Sequence, residues 1–338
     1  MTTSSTASPL ASPAAVRSAT WSTDLMAADM AQVDTLIRRR LASDVLLINQ
    51  ISAYIINAGG KRIRPLLVLL FAQALGFRGP ERFELAATVE FIHTATLLHD
   101  DVVDESQLRR GQDTANSRFG NPASVLVGDF LYSRAFQMMV SVNRMRVLDV
   151  LADATNVIAE GEVLQLMNMH DPNLSVEDYL RVIRYKTAKL FEASARLGAV
   201  LADAPDAIEV ACADYGRAIG TAFQLVDDLL DYEGTTEALG KAVGDDLREG
   251  KPTLPLLLAM ARGTPVQRAC VRKAIELGEV ERLPEILDIV RQTGGLDGTR
   301  AAARAEIEKA TRALTALPES EHRDALLHLA LHSIERLA

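Results

Sequence analysis

From about Asp24 onward, apolar side chains recur at intervals of three and four, as at Val33, Leu36, Ile37, Leu41, Val45 and Leu46. That spacing gathers them on one face of a helix. Strand-like alternation bounded by turn pairs is hard to find. Breakers fall instead at distances suited to helical hairpins: Gly59-Gly60, Gly79-Pro80, Gly120-Asn121-Pro122, Asp171-Pro172 and Gly250-Lys251-Pro252. The expected fold is all-α. A length of 338 residues admits two average domains or one large one. No low-complexity linker follows residue 22, so one helical domain over residues 23–338 is the simpler arrangement. Residues 1–22 are rich in Ser, Thr, Ala and Pro, with a single arginine, Arg17, and no acid. They read as a disordered tail, with an organellar transit peptide as the alternative.

A net charge of -9 argues against nucleic acid as the main partner, because phosphate-backbone binding needs a basic surface. Any phosphate ligand must therefore be held by a local cluster of cations. The two cysteines, Cys212 and Cys270, have neither CxxC spacing nor histidine neighbours, which suggests no disulfide framework and no zinc site and suits a reducing cytoplasm. The longest apolar stretches are broken by Lys, Arg, Asp or His before reaching the roughly 18 residues of a spanning helix.

Two stretches share the pattern Asp-Asp-x-x-Asp: Asp100, Asp101 and Asp104 in one, Asp227, Asp228 and Asp231 in the other. On a helix the first and last Asp lie one turn apart on one face, with the second beside them. Like charges so placed repel, and their Leu and Val neighbours favour burial, so something cationic must offset them. Oxygen-only donors suit a hard ion, and Mg²⁺ usually binds through one or two carboxylates plus substrate phosphates. A solvated acidic helix face is the bland reading of one such cluster, but two matching clusters in apolar surroundings favour metal-bridged diphosphate. A histidine-metal phosphohydrolase built on His99-Asp100 is a poorer match. Of the other histidines, His93, His170, His322, His328 and His332, only His93 lies near in sequence, at a spacing unsuited to a shared helical face.

Gly59-Gly60-Lys61-Arg62-Ile63-Arg64-Pro65 sets three cations in a glycine-initiated turn before an apolar run, a means of holding an anion. A solvated turn is the other reading, most plausible for Arg62. Arg109 and Arg110 follow the first aspartate cluster, and arginine's planar fork suits phosphate oxygens. Glu160, Glu162 and Gln165 either line a pocket mouth or mark an ordinary polar helix face.

Taken together, Gly60-Lys61-Arg62-x-Arg64-Pro65, Phe91-Ile92-His93-Thr94-Ala95-Thr96-Leu97-Leu98-His99-Asp100-Asp101, Arg109-Arg110-Gly111, Gly161-Glu162-Val163-Leu164-Gln165, Lys186-Thr187, Gln224-Leu225-Val226-Asp227-Asp228 and Gly250-Lys251-Pro252-Thr253 closely resemble the trans-isoprenyl diphosphate synthases, and among them the bacterial octaprenyl diphosphate synthases that make quinone side chains. The resemblance runs from about residue 25 to the C-terminus. It implies the isoprenoid synthase fold, a single-domain bundle of long antiparallel helices around a deep central cavity, acting as a homodimer. It also implies three Mg²⁺ ions, two held by Asp100 and Asp104 and the third by Asp227, with Asp101, Asp228 and Asp231 in support. By the same resemblance Arg109, Lys186, Thr187, Gln224 and Lys241 contact the allylic diphosphate, with Lys251 near its phosphates. Lys61, Arg64, His93 and Arg110 hold isopentenyl diphosphate.

Thr96 and Ala95, one turn before Asp100, are small where aromatic side chains in this family stop growth early. Their presence implies a long product, eight isoprene units expected and nine or ten as alternatives. Met138 and Met139 are either the floor of the product cavity or ordinary flexible core. A terpene cyclase would not need Lys61, Arg64 and Arg110 as a second diphosphate site. A non-catalytic partner subunit should have lost part of an aspartate cluster. Weak membrane contact for product release needs no anchor.

Overall fold

The computed structural model describes residues 24–57, 59–109, 111–233 and 243–335, so the expected tail over residues 1–22 lies outside the described residues. The chain enters through α1 (Ala27–Leu41) and α2 (Leu46–Asn57), then α3 (Ile63–Ala74) and α4 (Glu81–Val103). A minimal antiparallel pair, β1 (Leu108–Arg109) and β2 (Gln112–Asp113), precedes α5 (Ala115–Phe119), α6 (Asn121–Ser141) and α7 (Met145–Asn168). Next come α8 (Val176–Ile183), a π-helical turn (Arg184–Ala188), α9 (Lys189–Leu201) and α10 (Asp206–Glu233). The remainder is α11 (Asp245–Arg248), α12 (Leu254–Arg262), α13 (Pro265–Leu277), α14 (Leu283–Gln292), α15 (Gly295–Ala313) and α16 (Glu321–Glu335). The all-α expectation holds, and the breakers fall between helices, except that Asn121 and Pro122 open α6 itself.

Helix α3 explains the packing. Its sequence is apolar nearly all round, with Pro65 tolerated in the first turn, and such a helix has no face to give to water. Leu66 to Ala72 are accordingly buried, and α3 packs against α4, α9 and α16. Around it α4 packs on α6, α9 on α7 and α10, and α10 on α15. A second apolar cluster, with Leu256, Val271, Ile286 and Val290 at its centre, joins α12, α13 and α14 to Leu229 and Tyr232 of α10. Among the described residues no helix is long and apolar enough to cross a membrane. At ~1.5 Å per residue the 23 residues of α4 extend about 34 Å, so its C-terminal turn and its start lie at opposite ends of the bundle.

Candidate active site

The last turns of α4 and α10 meet in one cavity of about 770 Å³. His93, Thr96, Leu97, Asp100 and Asp104 come to it from a single face of α4, and Phe223, Gln224, Asp227 and Asp228 from α10. The six aspartates divide into two sets. Asp100, Asp104 and Asp227 are half-buried and line the cavity, whereas Asp101, Asp228 and Asp231 are buried at 4%, 2% and 0% exposure. Each buried carboxylate accepts hydrogen bonds from protein: Asp101 from Arg109 Nε at 2.8 Å, Asp228 from Gln224 Nε2 at 2.7 Å and from Tyr179, and Asp231 from the Asp246 amide at 3.2 Å.

Every member of the first row has a cation from another part of the chain. Lys186 Nζ of the π turn stands 3.8 Å from Asp100, Arg109 Nη2 2.7 Å from Asp101, and Lys251 Nζ 3.1 Å from Asp104. Burial pushes Asp100 up from the ordinary carboxylate range, and the neighbouring Asp104 adds to this against the pull of Lys186, Arg109 and Lys251. Lys251, which burial alone would lower, is held above its usual value by Asp104 and Glu249. Among the described residues no three His, Cys, Asp or Glu side chains converge as an all-protein metal site. The donors present, carboxylate oxygens in two rows facing one cavity beside several cations, fit instead an ion whose coordination is completed by ligand phosphate.

A second set of cations stands apart from the aspartates. Gly59 and Arg62 both adopt positive φ, which folds the turn ahead of α3 so that Lys61, Arg62 and Arg64 all reach the cavity. Lys61 Nζ lies 5.3 Å from the Phe223 ring centre and the Arg64 guanidinium 4.3 Å from that of Phe191, and the two rings are 5.6 Å apart. The pair forms an aromatic shelf under both cations. Burial lowers the Arg64 pKa to about 10, against the attraction of Glu90, so it stays charged at neutral pH. Its Nε is buried with no hydrogen-bond partner, a costly arrangement unless an anion uses it. Arg62 does not sit on a solvated turn: it lines the cavity and is bonded to Glu90.

The π turn brings Lys186 and Thr187 inward. A π bulge rotates side chains that an uninterrupted helix would aim elsewhere, and such turns are frequent at functional sites. It is pressed against Gly161 of α7, where an added Cβ would lie 2.5 Å from the Lys186 backbone nitrogen. Lys186 Nζ also bonds Glu162 Oε2 at 2.6 Å, and burial, reinforced by Asp100, pushes Glu162 up to about 7. Thr187 donates to Gln224 Oε1 at 3.0 Å. Burial, with Asp246 nearby, pushes Asp228 up to about 8.

Other candidates fall elsewhere. Thr96 lines the cavity, but Ala95, expected beside it, is fully buried in the packed core, as are Met138 and Met139. Arg110 and Lys241 lie outside the described residues. Glu162 and Gln165 line the cavity, while Glu160 is exposed on the far side of α7. His99 faces the carbonyl of Val125 at 3.2 Å and Asp129 at 3.4 Å, away from the cavity, which removes the phosphohydrolase reading. The sequence reading missed Tyr179, Glu90, Asp245, Asp246 and Glu249, all of which line the cavity. The acidic pair at 245–246, closely followed by Gly250-Lys251, was the one local signal for any of them. His170 was also passed over: its amide donates to Gly250 O at 2.7 Å, fixing the turn that presents Lys251.

Octaprenyl diphosphate synthase of Escherichia coli strain K12 is 55% identical to this chain over 314 residues, 93% of this chain and 97% of that protein. The all-trans-nonaprenyl-diphosphate synthase (geranyl-diphosphate specific) of Rhodobacter capsulatus is 44% identical, covering 92% and 96%. The crystal structure of a polyprenyl synthase from Caulobacter crescentus CB15, complexed with calcium and isoprenyl diphosphate, superposes with a TM-score of 0.92 at 48% identity, covering 96% of this chain and 100% of that one. A family model described as polyprenyl synthetase matches residues 45–290, a span that holds both aspartate rows and every cation of the cavity, and the chain belongs to that family.

Proposed function

We propose that this prenyltransferase is a long-chain all-trans polyprenyl diphosphate synthase: it extends an allylic diphosphate, with farnesyl diphosphate as primer, by repeated head-to-tail addition of isopentenyl diphosphate. Octaprenyl diphosphate is the product, destined for a quinone side chain. One observation carries the reading. A single cavity holds two aspartate rows and two separate sets of cations, Arg109, Lys186 and Lys251 beside the first row and Lys61 with Arg64 on the aromatic shelf. Two diphosphates can therefore be held at once, one to ionise and one to attack.

Asp100 and Asp104 would hold two Mg²⁺ ions and Asp227 a third, and the bound metal supplies positive charge to the oxygens of the departing diphosphate. Arg109, Lys186 and Lys251 hold that leaving group by charge-assisted hydrogen bonds and favour cleavage of the allylic carbon–oxygen bond. Thr187, Gln224 and the backbone carbonyls of the π turn face the carbocation with their negative dipole ends. Lys61, Arg64 and His93, together with Arg110, orient isopentenyl diphosphate so that its double bond attacks. The released diphosphate takes the proton. The growing tail passes Thr96 and opens a path into the core beside Ala95, Met138 and Met139.

A homodimer fits the exposed apolar face of α6 and α7, where Leu126, Phe136, Val140, Val163, Leu166 and Met167 meet solvent. Light scattering should return twice the 36.7 kDa chain mass, and a monomer at working concentration would reject it. We place the enzyme in the cytoplasm, with at most peripheral membrane contact during product release. Flotation with vesicles of neutral lipid tests that contact.

The deciding experiment incubates the protein with Mg²⁺, farnesyl diphosphate and labelled isopentenyl diphosphate, and sizes the dephosphorylated products. One long polyprenol of eight units, lost on chelation or in Asp100→Ala, is expected. Nine or ten units would correct the chain length alone. No incorporation from any allylic primer would reject the reading in favour of a partner subunit.

A further inference from the structure

Tyr179 sits on α8, outside both aspartate rows, at 4% exposure. Its hydroxyl heads a chain of hydrogen bonds, donating to Asp228 Oδ2. The other Asp228 oxygen, Oδ1, accepts from Gln224 Nε2 at 2.7 Å. Both Asp228 oxygens are thus engaged, and the NH₂ group of Gln224 faces Asp228. Gln224 Oε1 is then left toward the cavity, where Thr187 donates to it at 3.0 Å.

Reversing the Gln224 amide would set its carbonyl oxygen against Asp228 and its NH₂ against the site of developing positive charge. It would also give up both the Nε2 donation to Asp228 and the hydrogen bond that Oε1 accepts from Thr187.

We infer that Tyr179 and Asp228 are positioning residues that lock the amide of Gln224 with its carbonyl oxygen toward the reacting allylic carbon. The inference rests on the prenyl-transfer reading above. It assigns Asp228 to orientation of Gln224 rather than to holding metal. Tyr179 spends its hydroxyl on Asp228, so its contribution belongs to the ionising transition state and not to substrate binding.

The test is a double-mutant cycle on Tyr179→Phe and Gln224→Leu, with kcat and both KM values measured for each protein. Tyr179→Phe keeps the ring and should fold, which circular dichroism checks. Its kcat should fall by about 10- to 100-fold, the usual consequence of a misplaced group near the reacting centre, with both KM values within about threefold. In the double variant kcat should equal that of Gln224→Leu alone, because the hydroxyl acts only through the amide. Multiplicative losses, or a rise in KM with kcat unchanged, would overturn the inference while leaving the proposed function intact. A wild-type protein with no activity on any allylic primer would instead overturn the proposed function, and this inference with it.

Discussion

Burial lowers the pKa of Arg64, whereas those of Arg109 and Lys251 are raised by the carboxylates beside them; the burial of Arg64 is offset by Glu90 and by the ring of Phe191 rather than by a carboxylate in hydrogen-bond contact. A buried guanidinium with an unpaired Nε is poised for an anion. Arg64→Met should raise the KM for isopentenyl diphosphate by tenfold or more, on the order of the 1.5–3 kcal/mol of a charged hydrogen bond, while leaving the KM for the allylic substrate nearly unchanged. Equal losses for both substrates in steady-state kinetics would show that the two sets of cations are not separate. Glu162 gives a second test at this scale. Its pKa rises from 4.5 in the unfolded chain to about 7 in the folded one, chiefly through burial. Between those values the folded state binds more protons than the unfolded state, so the group's contribution to stability is lost as pH rises through that window. In chelator, the melting temperature of Glu162→Gln relative to wild type should climb between pH 4.5 and 7 and then level off. A flat difference would place Glu162 in water. Residues in the motifs were legible because charge at fixed local spacing needs no tertiary knowledge. Tyr179 and Glu90 were not legible: one meets Asp228 across 49 positions and the other Arg62 across 28.

At the scale of elements, apolar periodicity and breakers locate the helices, but they do not reveal the π turn at Arg184–Ala188, because a shift to i+5 bonding leaves no mark in composition. Its only local sign is Gly161, which lets α7 approach the turn. Gly161→Ala sets a methyl group against backbone that cannot rotate away, so a loss of about 1–3 kcal/mol in stability is expected, with Lys186 and Thr187 displaced and turnover falling more steeply than the melting temperature implies. Unchanged turnover would mean that the turn tolerates movement. Helix α4 separates two neighbouring positions. Position 96 lies four residues before Asp100 and shares its face, whereas position 95 is rotated a further 100° into the packed core. Thr96→Phe should therefore stop growth early and give short polyprenols on chromatography. A full-length product from that variant would place the tail's path elsewhere.

For the molecule as a whole, the resting state of the site has an electrical consequence. Asp100, Asp101 and Asp104 each stand beside a cation carried by the π turn, by β1 or by the turn before α12. These pairs tie three distant parts of the chain together at the mouth of the cavity, where Glu162 also holds Lys186 and Glu249 also holds Lys251. A divalent ion arriving alone would have to displace an ammonium group already in place. The same ion arriving with diphosphate brings its own counter-charge, and the lysines released from the carboxylates have phosphate oxygens to move to. The mouth thus behaves like a lock with two keys, admitting metal and allylic diphosphate together more readily than either by itself.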